Sequence, residues 1–275
     1  MKTIHRVLDP ASQEEIAGRI CALAVMTKAP RAGQVKTRLV PPLRHYEAAE
    51  INCCFLRDIS AAILAASSSA GVGSSQESDA HGGPPQTTAR IARGVGVYTP
   101  WGAEAEYGDI LPQDFFLMPQ RGDHFGDRLT LAAEDLFKVG FASVCLINSD
   151  SPTVPAKSFS QAVKFLRLPG DRTVLGPCDD GGYYLIGLKS LHRELFEQVD
   201  WSTERVLEQT KQRAAEIDVE VKLLPVGYDV DDRAALRRLC GELFGENSRE
   251  ELAPNTRKFL TEIIEREGRH RIWPL

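Results

Sequence analysis

The chain has 275 residues, 43% hydrophobic and 26% charged, with a formal net charge of −5. That length suits one large domain with decorations and a sizeable core. The acidic balance excludes bulk nucleic-acid binding, which needs a broad basic surface, and no apolar run approaches the roughly 20 residues that span a bilayer.

Short runs rich in Val, Ile, Leu and Tyr, bounded by Gly, Pro or Asp, predict strands at 21–27, 94–98, 115–118, 143–148, 173–176, 183–188 and 219–224. Several are apolar at consecutive positions, as strands covered on both faces are. Helical patterns lie between them. Ile51, Phe55, Ile59 and Ile63 recur every four residues within 47–64. Further helices are expected at 127–138, 156–166, 203–215, 232–244 and 256–266, with Ser202 or Thr203 capping the 203–215 helix. Alternating strands and helices imply an α/β sandwich with a largely parallel sheet. The Ser/Gly/Pro-rich segment 65–93 lacks large apolar side chains and reads as a flexible insertion. Residues 1–20 read as an N-terminal extension, 21–245 as the domain and 246–275 as a C-terminal helical tail. The N-terminus carries acids and no apolar signal core, so a cytoplasmic protein is expected. The six cysteines show no Cys-x-x-Cys spacing and read as free buried thiols.

Chemistry concentrates in loops after strands, where parallel α/β sheets bind ligands. MTKAPRAGQVKTRL (26–39) places a basic loop after the first strand of an acidic protein. Lys28, Lys36 and Arg38 suit a phosphate; Gly33 allows a tight turn, and Thr37 lies between the two cations. Walker spacing is absent, and the bland alternative is a solvated basic loop. In MPQRGDHFGDRL (118–129), Gln120 and Asp127 suit hydrogen bonds to a base or sugar, and His124 reads as a bystander. In SVCLINSDSPTVP (143–155), Asp150 can hold Mg²⁺ or Mn²⁺ or cap the following helix. In LGPCDDGGYYLIGL (175–188), the Asp-Gly pair predicts a hairpin. Gly181 and Gly182 there permit close approach of a substrate, and Asp180 can contact an acceptor hydroxyl or act as a base. In DVDD (229–232) one acid suffices to cap a helix; Asp229 or Asp231 remains for a metal or for general-base work.

The ordered set of KxPxxGxVKTRL (28–39), PQxGxxxGxR (119–128), SDSPTxP (149–155), GPxxDGGYYLIGL (176–188), WST (201–203) and DVD (229–231) resembles the bacterial DUF2064 family. The chain departs from it at Asn148, where Gly is usual, and at Met26–Thr27, where Phe-Ala is usual. Neither change removes a charged group. The resemblance implies a GT-A, nucleotide-diphospho-sugar transferase fold: a three-layer α/β/α sandwich around a mostly parallel mixed sheet. It also implies kinship with the guanylyltransferases of deazaflavin coenzyme and molybdenum cofactor synthesis.

The expected activity is metal-dependent glycosyl transfer from a nucleotide-diphosphate sugar to a small-molecule acceptor. Nucleotidyl transfer from an NTP, or non-catalytic nucleotide binding, are the alternatives. In the first reading Lys28, Gly33, Lys36, Thr37, Arg38 and Gln120 hold the nucleotide. Asp150 and Asp231 hold Mg²⁺ or Mn²⁺, and Asp180 and Asp229 serve catalysis. Gly181, Gly182, Tyr183 and Trp201 line the substrate pocket, with core packing the competing role for Tyr183 and Trp201.

Overall fold

The computed structural model describes residues 3–12, 16, 19–69 and 90–273. Strands β1 (Cys21–Lys28), β2 (Ala92–Thr99), β3 (Phe116–Pro119), β4 (Ser143–Ile147), β5 (Arg172–Pro177), β6 (Tyr183–Leu188) and β7 (Glu220–Leu223) form one sheet in the order β3-β2-β1-β4-β6-β5-β7. Strand β6 runs antiparallel to both β4 and β5; the other pairs are parallel. This is the mostly parallel mixed sheet that the alternation of elements predicts, with a strand at each of the seven expected places.

The helices are α1 (His45–Ser69), α2 (Phe125–Lys138), α3 (Ala156–Arg167), α4 (Val206–Glu216), α5 (Arg233–Phe244) and α6 (Pro254–Glu267). Side chains of β1 alternate between two cores, because successive strand residues face opposite sides. Cys21, Leu23 and Val25 pack with Leu56, Ile59 and Ile63 of α1 and Phe159 and Leu166 of α3. Ala22 and Ala24 pack on the other face with Leu129, Ala133 and Leu136 of α2 and Ala214 of α4. The result is a three-layer α/β/α sandwich. Among the described residues no helix is long and apolar enough to cross a membrane.

Three boundaries differ from the sequence reading. Helix α1 continues to Ser69 and β2 begins at Ala92, so the insertion read at 65–93 is in part helix and strand; its remainder, 70–89, lies outside the described residues. Neither Ser202 nor Thr203 caps α4. The cap position is Arg205, without a side-chain bond, and Thr203 Oγ1 instead accepts from Arg205 N at 3.3 Å. Residues Arg6–Leu8 of the N-terminal extension lie along β3, with Leu8 N donating to Leu117 O at 2.7 Å and Leu117 N to Arg6 O at 2.9 Å. They cover an edge that would otherwise present unpaired backbone.

The segment from 246 onward packs into the body. Leu260 and Ile263 of α6 share a third core with Leu39 and Leu43 after the basic loop, Ile51 and Phe55 of α1, and Leu236 and Leu239 of α5. Asp58, on α1, caps α6 from outside: Asn255 N donates to its Oδ1 at 2.9 Å, and Thr256 N and Oγ1 donate to its Oδ2 at 3.0 and 2.6 Å. Glu47 is almost fully buried and paired with Arg266 and Arg271. Burial acts to raise its carboxyl, but Arg271 and Arg44 outweigh it and hold it below the ordinary range.

The cap is one carboxylate serving several buried donors. Asp58→Ala is therefore expected to destabilise the fold by about 3 kcal/mol, measured by urea unfolding, because it removes a helix cap and strands buried N–H groups. A loss below about 0.5 kcal/mol would contradict the docking role.

Candidate functional site

Four loops meet at one end of the sheet because of strand direction. β1 and β4 are parallel neighbours, so the basic loop after β1 and the Ser149–Pro155 loop after β4 emerge side by side. β6 is antiparallel, so the β5–β6 hairpin turns at that same end. β7 is parallel to β5 and delivers the Asp229–Asp232 loop there. Backbone bonds stitch these loops together: Val230 N to Asp150 O at 2.8 Å, Asp179 N to Gly227 O at 3.2 Å and Gly227 N to Pro177 O at 2.8 Å. The hairpin tip is fixed by Gly181. Its φ is +88°, and a Cβ there would lie 2.1 Å from Glu204 O, so only glycine fits. Its close approach is thus to the Glu204 backbone, and Leu207 N donates to Gly181 O at 2.9 Å.

Lys36 takes a different place from the one its position in a basic loop suggests. Its Nζ lies 2.7 Å from Asp150 Oδ1, 2.7 Å from Asp231 Oδ1 and 2.9 Å from Val230 O. Its side chain is only 5% exposed, against 27% for Asp150 and 43% for Asp231. Phe55 lies under the ammonium, 5.4 Å from the ring centre. Burial acts to lower the pKa of this amine; the two aspartates outweigh it and raise it. The backbone of Lys36 is left-handed, φ 48°, a conformation that costs a non-glycine residue about 1 kcal/mol and is held here by three polar contacts. The ammonium therefore fills the space between Asp150 and Asp231, the two residues expected from the sequence to share a metal.

The remaining acids form a second group. Cys178, Asp180 and Asp229 each place a ligand atom within 4.8 Å of the others. Burial, and then the Asp231 and Asp180 carboxylates, push Asp229 up to about 7. Burial also acts to raise Asp231, but Lys36 overrides it and holds that carboxyl low. Asp180 is the exposed member, its Oδ1 accepting from Gly182 N at 2.9 Å. Asp232 is the acid that caps α5, accepting from Ala235 N at 2.9 Å. The burial of Cys178 raises its thiol well above the ordinary value. The sequence reading treated this cysteine as an isolated thiol, although it directly precedes the paired aspartates.

Two cavities open on this end. One, about 220 Å³, is lined by Lys28, Gln34, Thr37, Arg38 and Asp150 among others. The second, about 550 Å³, is lined by Arg38, Asp150, Asp180, Gly182, Tyr183 and Trp201 among others, and also by Asp229 and Asp231. They share Arg38, Ser149, Asp150 and Asp231. Lys28 and Arg38 are exposed and make no ion pair among the described residues. Gly33, with φ 76°, turns the loop but lines neither cavity. Gln120 is occupied elsewhere: its Nε2 donates to Thr27 O at 3.0 Å and Val97 O at 2.7 Å, closing the ends of β1 and β2. Tyr183 and Trp201 pack against the second core as well as lining the larger cavity, and Trp201 meets Phe125 edge-on, ring centres 5.2 Å apart.

Residues 86–203 match the family model described as "Uncharacterized protein conserved in bacteria (DUF2064)", the family that the motifs resemble. No curated protein matches the chain. Among solved structures, a "putative nucleotide-diphospho-sugar transferase" from Desulfovibrio desulfuricans G20 superposes with a TM-score of 0.72 at 24% identity, covering 91% of this chain and 98% of that one. That likeness shows the nucleotide-diphospho-sugar transferase fold. A CMP:2-keto-3-deoxy-manno-octonic acid synthetase complexed with CTP scores 0.46 at 11% identity, covering 80% of this chain and 96% of its own. Rv0371c from Mycobacterium tuberculosis H37Rv scores 0.44 at 13% identity, covering 82% and 98%.

The two halves of the acid group respond oppositely to substitution. Lys36→Met leaves the carboxylates without their counter-charge and is expected to destabilise the protein by about 3 kcal/mol at pH 8, a value reduced for the partly exposed partners. Asp229 retains in the folded chain a proton that an unfolded Asp releases near pH 4. This group therefore lowers stability as pH rises from about 4 to 7. Asp229→Asn, measured in chelator, should be about 2 kcal/mol more stable than the parent at pH 8, with the gap closing by about pH 4. Equal stability of both variants and parent at pH 8 would refute this electrostatic arrangement.

Proposed function

We propose that the protein is a nucleotide-using transferase that moves a sugar from a nucleotide-diphosphate sugar to a neutral hydroxyl acceptor. The observation that carries this reading is the charge of the larger cavity. Among the described residues, Asp150, Asp180, Glu204, Asp229 and Asp231 line it, against Arg38 as the only cationic residue in the lining. A phosphorylated acceptor, as nucleotidyl transfer would use, would meet this acidic wall at a cost of like-charge repulsion. Sugar and acceptor hydroxyls would find acceptors for their hydrogen bonds there.

The cationic end lies next door. Lys28 and Arg38, both free of ion pairs, would hold the donor's diphosphate in the smaller cavity, with Thr37 beside them. Arg38 lines both cavities, at the place where the phosphate would meet the sugar. Lys36 acts indirectly, fixing Asp150 and Asp231 in one orientation. Asp180 and Asp229 take a different role from the one expected: with Lys36 between the other two aspartates, they are the carboxylates fit to hold a divalent cation. Such an ion would stabilise the charge that builds on the departing nucleotide diphosphate. Asp150, with Oδ2 unpaired among the described residues, is left to receive the acceptor's proton. Tyr183 and Trp201 would wall the sugar.

The test is a thermal-shift panel of NTPs and UDP-, GDP-, ADP- and dTDP-sugars, each with a divalent metal or chelator. A ligand that binds only the folded state raises the melting temperature. One nucleotide sugar is expected to stabilise the protein in a metal-dependent way. Arg38→Ala and Lys28→Ala should each weaken that binding about tenfold, the loss of one charge-assisted contact. Stabilisation by an NTP alone would replace this reading with nucleotidyl transfer, and a flat panel would remove it.

A further inference from the structure

The hairpin tip carries a thiol that the transfer reading does not use. Cys178 is 6% exposed, and its Sγ belongs to the group in which every ligand atom lies within 4.8 Å of the others. Ligand atoms sharing a divalent ion with bonds of about 2.0–2.3 Å lie no more than about 4.6 Å apart, so at most a small inward movement lets the three share one. The other five cysteines are buried away from it: Cys21 and Cys145 in the sheet, Cys53 and Cys54 on α1, Cys240 on α5.

A second observation concerns Ser151. It is 2% exposed, and its hydroxyl finds no hydrogen-bond partner other than the Cys178 thiol. It lies against the Cys178 side chain. Buried hydroxyls without strong partners are uncommon, and a bound water or ion is one of the groups that satisfies them. A metal-bound thiolate would be a stronger acceptor for this hydroxyl than the neutral thiol, the kind of outer contact that orients a metal ligand. The backbone around the group is already fixed, because residue 178 forms a bridge with Gly227, two residues before Asp229.

We propose that Cys178, Asp180 and Asp229 form a divalent-cation site whose thiolate selects a borderline transition metal of the Zn²⁺, Co²⁺ or Fe²⁺ kind over Mg²⁺. Magnesium demands oxygen ligands in near-octahedral geometry. A thiolate with two carboxylates suits softer ions instead. On binding, the S–H bond breaks, the sulfur–metal bond forms and the proton leaves to solvent. The inference rests on the transferase reading for the ion's use in transfer, and on the geometry alone for its binding.

Cobalt tests it directly, because thiolate-to-Co²⁺ charge transfer absorbs in the near ultraviolet. The purified full chain, titrated with Co²⁺, should develop that band up to one equivalent. Cys178→Ser, which retains the other five thiols, should lose the band and bind Co²⁺ at least about tenfold more weakly, while Mg²⁺ affinity by calorimetry changes less than about threefold. Asp180→Asn, at an exposed position, provides a second variant and should weaken Co²⁺ about tenfold. Absence of the band in the parent, or its persistence in Cys178→Ser, overturns the proposal. So does Mg²⁺ displacing Co²⁺ at equal concentration. A cobalt band with no nucleotide-sugar response supports the metal site while removing the transfer reading. A nucleotide-sugar response without the band does the reverse.

Discussion

One ammonium group organises this end of the molecule. Lys36 reaches from the loop after β1 to carboxylates on the loops after β4 and β7, and to a backbone carbonyl between them. Without it, Asp150, Asp229 and Asp231 would repel one another in a partly dry cavity, where charge repulsion is several times stronger than in water. With it, the acids divide into a pair bound to lysine and a group free to bind something else. Buried ion pairs often contribute little net stability yet specify geometry. Here the specified geometry is the relative position of three loops that are far apart in the chain.

Much of the fold is legible from sequence because strands here are short, β-branched and sharply bounded. Strand ends then reveal the site, since most of the motifs lie at or after strand ends and the sheet places those ends together. Three things were hidden for physical reasons. The destination of Lys36 depends on partners as much as 195 residues away, so its charge reads locally as a surface feature. The packing of residues beyond 246 depends on a face of α1 that pattern alone assigns to the sheet. That helix carries two apolar stripes, one for the sheet and one, through Ile51 and Phe55, for α5 and α6. Cys178 could have been singled out by its place directly before two acids at a hairpin; free-thiol statistics obscured it. Gln120 shows the converse, a polar residue in a motif whose amide is consumed by closing strand ends.

The two cavities divide the work by charge. Both share Arg38, Asp150 and Asp231; the smaller adds Lys28 and Lys36, and the larger adds Asp180, Glu204 and Asp229. In the proposed reading, a ligand bridging both carries negative charge at one end and hydroxyls at the other, the chemical outline of a nucleotide-diphosphate sugar. The same asymmetry sets the ligand's direction, because reversing it would bring phosphate against carboxylates.

The docking of α6 on Asp58 also has a kinetic side. During synthesis α1 emerges early, while Asn255 and Thr256, the partners of its buried carboxylate, emerge after the entire sheet. Until then the acid lacks its partners and the stripe lacks the α6 part of its cover, and Leu39 and Leu43, which follow Lys36, share that incomplete core. Contacts of such long sequence separation close late and slow folding. The loop that carries Lys36 is thus anchored in a core that is complete only once α6 has docked.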